Sequence, residues 1–82
     1  MKEDEVIEKL RGIVNPYLKE KDAIGLDSHL TYDLALDSID MVDVMLEIET
    51  TFSISIKDKE LNGFQTVRNI VDFILQKVNG NG

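Results

Sequence analysis

The stretch DLALDSIDMVDVMLEIETTF, residues 33–52, runs from a loop directly into a segment with helical periodicity. Residues 38–52 contain neither proline nor glycine, and Asp37 or Ser38 can act as the N-cap of a helix. Asp40 would lie in the first turn, where a carboxylate complements the helix dipole. The stretch therefore predicts a helix over residues 38–52 that presents a serine hydroxyl at its N-terminus.

The negative charge of the chain is concentrated around this serine. Residues 23–56 contain seven acids and no lysine or arginine, and the other nine acids balance all nine bases, so the net charge of -7 lies here. The seven are Asp27, Asp33, Asp37, Asp40, Asp43, Glu47 and Glu49. This distribution predicts an acidic surface for basic protein partners. It argues against nucleic-acid binding, which needs basic residues to neutralise phosphates.

Length and composition exclude several classes of protein. A chain of 82 residues supports one hydrophobic core but not also a walled active-site cleft, so we expect no enzyme and no catalytic residue. The absence of cysteine excludes disulfides and thiolate metal sites, and fits a cytoplasmic setting. No apolar run approaches the roughly 18 residues of a membrane span. We expect a cytoplasmic monomer that does not insert into membranes.

Apolar periodicity predicts two further long helices and a short one. They are residues 3–18, with the last turn frayed or kinked at Asn15-Pro16, a short turn within residues 58–64, and a helix that Thr66 caps and Gly80-Asn81-Gly82 ends. Ile54 and Ile56 alternate with serines but have no partner strand, which favours an extended linker. The fold class is therefore all-α: a small four-helix bundle of three longer helices and one short one.

A long connection over residues 19–36 joins the first two helices. Its apolar residues can pin it to the core: Ile24, Leu26, Leu30, Tyr32 and Leu34. We expect one domain over residues 1–79 and a flexible tail over residues 80–82.

The second helix has more apolar positions than a small bundle needs to bury. Asp40, Asp43 and Glu47 form an acidic stripe that continues to Thr50 or Thr51. A packing face is predicted from Val42, Met45, Ile48 and Phe52, which leaves Ile39, Met41, Val44 and Leu46 as a surplus. Either this helix is the most buried of the four, or the surplus lines a cavity or a partner's contact patch.

Ser38 has two interpretations. A serine at this position is usually only a cap, but the free N–H groups and positive dipole of a helix N-terminus also accommodate a phosphate ester, against repulsion from Asp37 and Asp40. The only histidine, His29, lies nine residues earlier, and no Gly-x-Ser-x-Gly motif surrounds the serine. A separate enzyme would have to activate the hydroxyl.

The ordered set Asp33-Leu34-x-x-Asp37-Ser38-Ile39, the acidic helix, Phe52-x-Ile54-x-Ile56, Asp58 and Thr66-Val67 resembles the acyl carrier protein family. The resemblance covers the chain from Val6 to about Ile74. It implies that Ser38 receives 4'-phosphopantetheine from coenzyme A through a separate Mg²⁺-dependent phosphopantetheinyl transferase. The terminal thiol of this arm would then carry an acyl group as a thioester between enzymes.

The resemblance also implies roles for residues near the serine. Asp37 would assist metal binding in the transferase complex, with no metal site in the free protein. The partners would be the transferase and the acyl-loading, condensing and modifying enzymes with basic docking patches. The residues implied to contact these partners are Asp37, Ile39, Asp40, Val42, Asp43, Leu46, Glu47 and Glu49.

Three departures from the family pattern favour a specialised pathway over general fatty-acid synthesis. Ala35 replaces a usual glycine, Lys57 replaces a common proline, and Thr50 and Thr51 stand where glutamates often continue the stripe. Ala35 restricts the loop only if its backbone needs a positive φ angle. The cargo, whether fatty, polyketide or aminoacyl, stays open.

Two other functions compete with the carrier. One is a helical interaction module without a prosthetic group, in which Ser38 is only a cap. The other is a calcium binder, but the spacings from Asp33 to Asp43 do not supply the alternate-position oxygens, glycine and glutamate of an EF-hand loop. A catalytic carboxylate pair is disfavoured because acids at helical spacing face solvent.

Overall fold

A computed structural model describes residues 1–19 and 24–80, and in this part of the chain four α-helices and one 3₁₀ turn form without any β-strand. The elements are α1 (Glu3–Val14), the 3₁₀ turn (Asn15–Tyr17), α2 (Ser38–Phe52), α3 (Asp58–Leu61) and α4 (Val67–Asn79). Three longer helices and a single-turn helix confirm the predicted all-α bundle with a long loop between the first two helices.

The first helix is shorter than the sequence predicts. α1 ends at Val14, the chain continues as the 3₁₀ turn, and Leu18 is already extended. Pro16 explains the early end, because proline has no N–H to donate to the carbonyl four residues earlier. The prediction of a helix to residue 18 was therefore wrong in its last turn, at the position where a kink was expected.

A reciprocal capping box starts α2. The Asp40 N–H donates to Asp37 Oδ1 at 2.8 Å, and the Asp37 N–H donates to Asp40 Oδ2 at 3.3 Å. Asp37 is therefore the N-cap, and Ser38 is the first residue of the helix. Of the two caps that the sequence left open, the structure selects Asp37, so the serine hydroxyl is not the capping group.

The core-facing side of α2 consists of Val44, Met45, Ile48 and Phe52, all of which are buried. Val42, which the sequence assigned to this face, is 53% exposed, and Val44, assigned to the surplus, is fully buried. The sequence-based assignment was therefore wrong for both valines: Val44 belongs to the buried face and Val42 to the exposed surplus. Steps of three and four residues from Phe52 back to Met45 and Val44 follow the true helical face, whereas Val42 lies about 200° away from Val44 around the helix.

Most of the predicted anchors hold the long loop. Ile24, Leu30 and Leu34 are buried, and Leu26 is half-buried. Tyr32 is 85% exposed, so its prediction as an anchor was wrong; its ring lies against the imidazole of His29, with centroids 4.3 Å apart. Residues 20–23 of the predicted connection lie outside the described residues.

Backbone hydrogen bonds tie this loop to the N-terminus of α4. The Arg68 N–H donates to the Leu26 carbonyl at 2.9 Å, the Val67 N–H to the Ser28 carbonyl at 3.0 Å, and the Leu30 N–H to the Gln65 carbonyl at 2.9 Å. The first N–H groups of a helix have no acceptor within the helix, so the loop carbonyls satisfy donors that would otherwise be unpaired. The predicted cap of this helix, by Thr66, is also present.

The end of α4 agrees with the sequence as far as it is described. The Gly80 N–H donates to the Gln76 carbonyl at 2.8 Å, and a Cβ at position 80 would collide with the same carbonyl oxygen. Residues 81–82, the rest of the predicted tail, lie outside the described residues. The division into a domain over 1–79 and a tail over 80–82 stays a prediction.

Ala35 occupies the left-handed region of backbone conformation, with a φ of 56°. This is the condition under which an alanine in place of glycine strains the loop, because its Cβ crowds the following carbonyl oxygen. Ser53, the C-cap of α2, has a similar φ of 55°.

We expect Ala35→Gly to raise the free energy of unfolding by about 1 kcal/mol, because glycine removes the left-handed strain. The alanine side chain is exposed, so little packing is lost. Urea unfolding of the wild type and the variant measures the change. Ser53→Gly is the matched second site and should act in the same direction; a loss of stability in Ala35→Gly would contradict this explanation.

Candidate functional site

The hydroxyl of Ser38 stands at the positive end of α2. Ser38 is exposed, and within residues 1–19 and 24–80 the N–H groups of Ser38 and Ile39 donate to no acceptor. Asp37 has taken over the capping role. The serine oxygen is therefore accessible, and two free backbone donors lie next to it, an arrangement that stabilises a phosphate.

An apolar groove opens beside this serine. It has a volume of about 440 Å³, and its walls come from the loop, from α2 and from the α3 region. The lining residues are Leu30, Thr31, Leu36, Asp37, Ser38, Met41, Val42, Leu61 and Phe64. The sequence had left open whether surplus apolar residues line a cavity, and Met41 does so. The groove itself could not be located from the sequence, because its walls lie far apart in the chain.

Two parallel stripes occupy the outer side of α2. Asp43 and Glu47 are exposed, whereas Asp40 is half-buried and participates in the capping box. Alongside them lies an exposed apolar stripe: Ile39 is 73% exposed, Val42 53% and Leu46 56%. Three large apolar side chains on one helix face form a patch of the kind that partner proteins cover.

Glu49 differs from the other acids of α2. Its Oε2 accepts a hydrogen bond of 2.7 Å from the Ile56 N–H, and its backbone carbonyl accepts a bond from Ile54. The carboxylate is half-buried and fixes the extended segment that leads to α3. Sequence reasoning placed Glu49 with the docking acids, because the sequence contains no signal for a bond that reaches seven residues ahead.

Tyr17 falls among the apolar positions of the predicted first helix, but the structure places its hydroxyl beside the acidic stripe. Its Oη lies 3.3 Å from Glu47 Oε1, to which the hydroxyl donates. Partial burial, followed by the negative charges of Glu47 and Asp43, raises the pKa of the Tyr17 hydroxyl above its ordinary value of 10. The phenol therefore stays protonated at neutral pH and remains a donor to the carboxylate.

His29 has a structural role in the loop. The imidazole Nδ1 accepts hydrogen bonds from the backbone N–H groups of Thr31 and Tyr32 at 3.1 and 3.2 Å, and the backbone N–H of His29 donates to Asp33 Oδ2 at 2.6 Å. The imidazole nitrogen that could act as a base is thus already occupied. Within the described residues, no group of three histidine or acidic side chains could hold a metal ion.

None of the helices in the described part of the chain is long and apolar enough to span a membrane.

Comparison with known proteins gives one consistent result. Residues 8–74 match the profile of a family described as "Phosphopantetheine attachment site". The chain is 36% identical over 80 residues to the acyl carrier protein of Petrotoga mobilis, covering 96% of this chain and 94% of the relative. It is 38% identical over 77 residues to the acyl carrier protein of Cyanidium caldarium, covering 93% of this chain and 90% of the relative. It is 39% identical over 70 residues to the acyl carrier protein of Onion yellows phytoplasma, covering 84% of this chain and 92% of the relative.

The bond from Ile56 to Glu49 predicts a difference between two glutamates on the same helix. Glu49→Gln should lower the free energy of unfolding by about 1 kcal/mol, because a neutral acceptor replaces a charged one in a partly buried hydrogen bond. The matched control is Glu47→Gln, whose side chain is exposed. Urea unfolding should show that the control loses no more than about 0.5 kcal/mol of its free energy of unfolding. Equal losses in the two variants would contradict a special role of Glu49 in the fold.

Proposed function

Because this chain belongs to the acyl carrier protein family, we propose that Ser38 is the residue to which its covalent 4'-phosphopantetheine is attached. The family carries acyl groups as thioesters on this arm, and the arm supplies the thiol that the chain, which has no cysteine, lacks. The chain itself is a carrier and not a catalyst.

The accessibility of the hydroxyl carries the proposal. Ser38 is exposed at the start of α2, where Asp37 provides the cap. Beside it lie an apolar groove and two backbone N–H groups that donate to no acceptor among the described residues. A phosphodiester on this oxygen would face the positive end of the helix dipole. The groove walls are largely aliphatic and aromatic, which suits an uncharged arm better than a second charged group.

Attachment requires another protein. In the transfer, the Ser38 oxygen forms a bond to the phosphorus of the pantetheine phosphate, and the P–O bond that joins this phosphorus to the nucleotide half of coenzyme A breaks. The nucleotide leaves as adenosine 3',5'-bisphosphate, and the hydroxyl proton passes to a base of the transferase. His29 does not supply this base, because its Nδ1 accepts two backbone hydrogen bonds. Asp37, next to the serine, is proposed to assist the Mg²⁺ of the transferase complex, where a cation would offset the repulsion between carboxylates and phosphate.

We propose that partners dock on the two stripes of α2. Asp40, Asp43 and Glu47 supply charge for basic patches, and Ile39, Val42 and Leu46 supply apolar contact area. The proposed partners are the transferase and the acyl-loading, condensing and modifying enzymes, met in the cytoplasm by a monomeric carrier. Glu49 contributes indirectly, since its carboxylate is bonded to Ile56.

The replacement of stripe acids by Thr50 and Thr51, both exposed, supports a carrier dedicated to a specialised pathway. A shorter acidic stripe offers fewer contacts to partners with extended basic patches.

Incubation with coenzyme A, Mg²⁺ and a phosphopantetheinyl transferase should add one phosphopantetheine to the chain, measured by intact mass. Ser38→Ala should abolish the addition and change the free energy of unfolding by no more than about 0.5 kcal/mol, because Ser38 is not the N-cap. Ser55→Ala, also at an exposed serine, is the control and should be loaded normally. Loading that persists in Ser38→Ala would disprove the assignment.

Reversing one charge of the acidic stripe tests docking. Asp43→Lys should lower kcat/KM for loading roughly tenfold, mainly through slower association, and added salt should weaken the wild-type reaction through screening. Asp72→Lys, the same charge change at an exposed site on α4, is the control and should have a small effect. If both variants load at the same rate at low and high salt, the stripe is only a solvated face.

A further inference from the structure

Tyr17 connects the end of the first helix to the acidic stripe of α2. It is the last residue of the 3₁₀ turn, and its half-buried ring packs against the core. Its hydroxyl reaches Glu47, 30 residues later in the chain, with 3.3 Å between the two oxygens. A rigid aromatic ring on the scaffold therefore holds an otherwise exposed, rotatable carboxylate.

Tyr17 lies near all three acids of the stripe, as their effect on its pKa shows. After partial burial, the largest causes of its raised pKa are the charges of Glu47 and Asp43, and Asp40 contributes as well. All three stripe acids are thus close enough to act on one phenol. None of the three forms an ion pair with a described lysine or arginine, so their charge is not compensated within the described part of the chain.

We propose that Tyr17 is a positioning residue for docking: its hydroxyl holds the Glu47 carboxylate in the orientation that meets a basic side chain of a partner enzyme. This inference rests on the proposed docking role of the stripe. The occupant is basic because residues 23–56 contain seven acids and no lysine or arginine.

The physical reason is conformational entropy. A free glutamate side chain samples several rotamers, and a partner that binds it must restrict them, which weakens binding. The hydrogen bond from Tyr17 restricts the carboxylate before the partner arrives. Phenylalanine at position 17 would keep the ring in the core and remove only this restriction, so the effect belongs to the dissociation constant and not to folding.

The test measures binding to a phosphopantetheinyl transferase without chemistry. All chains carry Ser38→Ala, so no loading occurs, and calorimetry gives the dissociation constant at low salt. Tyr17→Phe should weaken binding about threefold, the size expected when one rotamer-rich side chain loses its restraint. Tyr32→Phe is the matched control, since its side chain is 85% exposed and its ring lies against His29; it should bind like the parent.

A double-mutant cycle separates positioning from an indirect effect. In the Glu47→Gln background, Tyr17→Phe should cause no further loss, because the carboxylate that it positions is gone. An unchanged dissociation constant for Tyr17→Phe, or a loss of equal size in both backgrounds, would overturn the inference. Binding that is absent or insensitive to salt would overturn both the docking role and the inference about Tyr17. Failure of the wild type to be loaded despite normal binding would count only against Ser38 as the attachment site.

Discussion

The arrangement of this bundle depends on the hydrogen bonds between the long loop and the N-terminus of α4. The carbonyls of Leu26 and Ser28 accept the first N–H groups of that helix, and the Leu30 N–H donates back to Gln65. These bonds pair backbone groups of two segments at once, because the loop and the start of the helix both have N–H or C=O groups without partners in their own segment. They also bring Leu30, Leu34 and Leu36 into the core, so the loop reaches α2 in a fixed direction.

That direction is what exposes the serine. The chain turns at Ala35, in the left-handed region, and the residues on either side of it are both buried. The turn has an energetic cost of about 1 to 2 kcal/mol for a residue with a Cβ, which the burial of two leucines exceeds. Asp37 then closes the capping box with Asp40, and Ser38 is left as an exposed helical residue whose hydroxyl is not the cap.

The sequence was sufficient to predict the helices, apart from the last turn of the first, and to place Ser38 at the start of α2, but not to predict the tertiary contacts of α2. Periodicity and capping residues depend on neighbours within four positions, so α2, α4 and the Thr66 cap could be predicted, whereas the cap of α2 stayed open between Asp37 and Ser38. The assignment of Val42 and Val44 failed because a run with apolar residues on several faces does not define which face is buried. The prediction that Tyr32 anchors the loop was wrong because an apolar ring in a loop does not by itself show whether the side chain reaches the core. The groove, the Tyr17–Glu47 contact and the Glu49–Ile56 bond depend on how distant segments pack together.

Glu47 and Glu49 show why charge alone does not define a docking surface. Because they lie two residues apart on a helix, their side chains point about 160° apart. Glu47 lies on the outer side, where Tyr17 restrains it, and Glu49 turns toward the segment that precedes α3. The first carboxylate is exposed. The second fixes the extended segment before α3, the helix that ends in Leu61, and Leu61 lines the groove beside Ser38. Under the docking role proposed above, removal of the charge at position 47 would take away an attractive contact, whereas removal of the charge at position 49 would displace the groove wall.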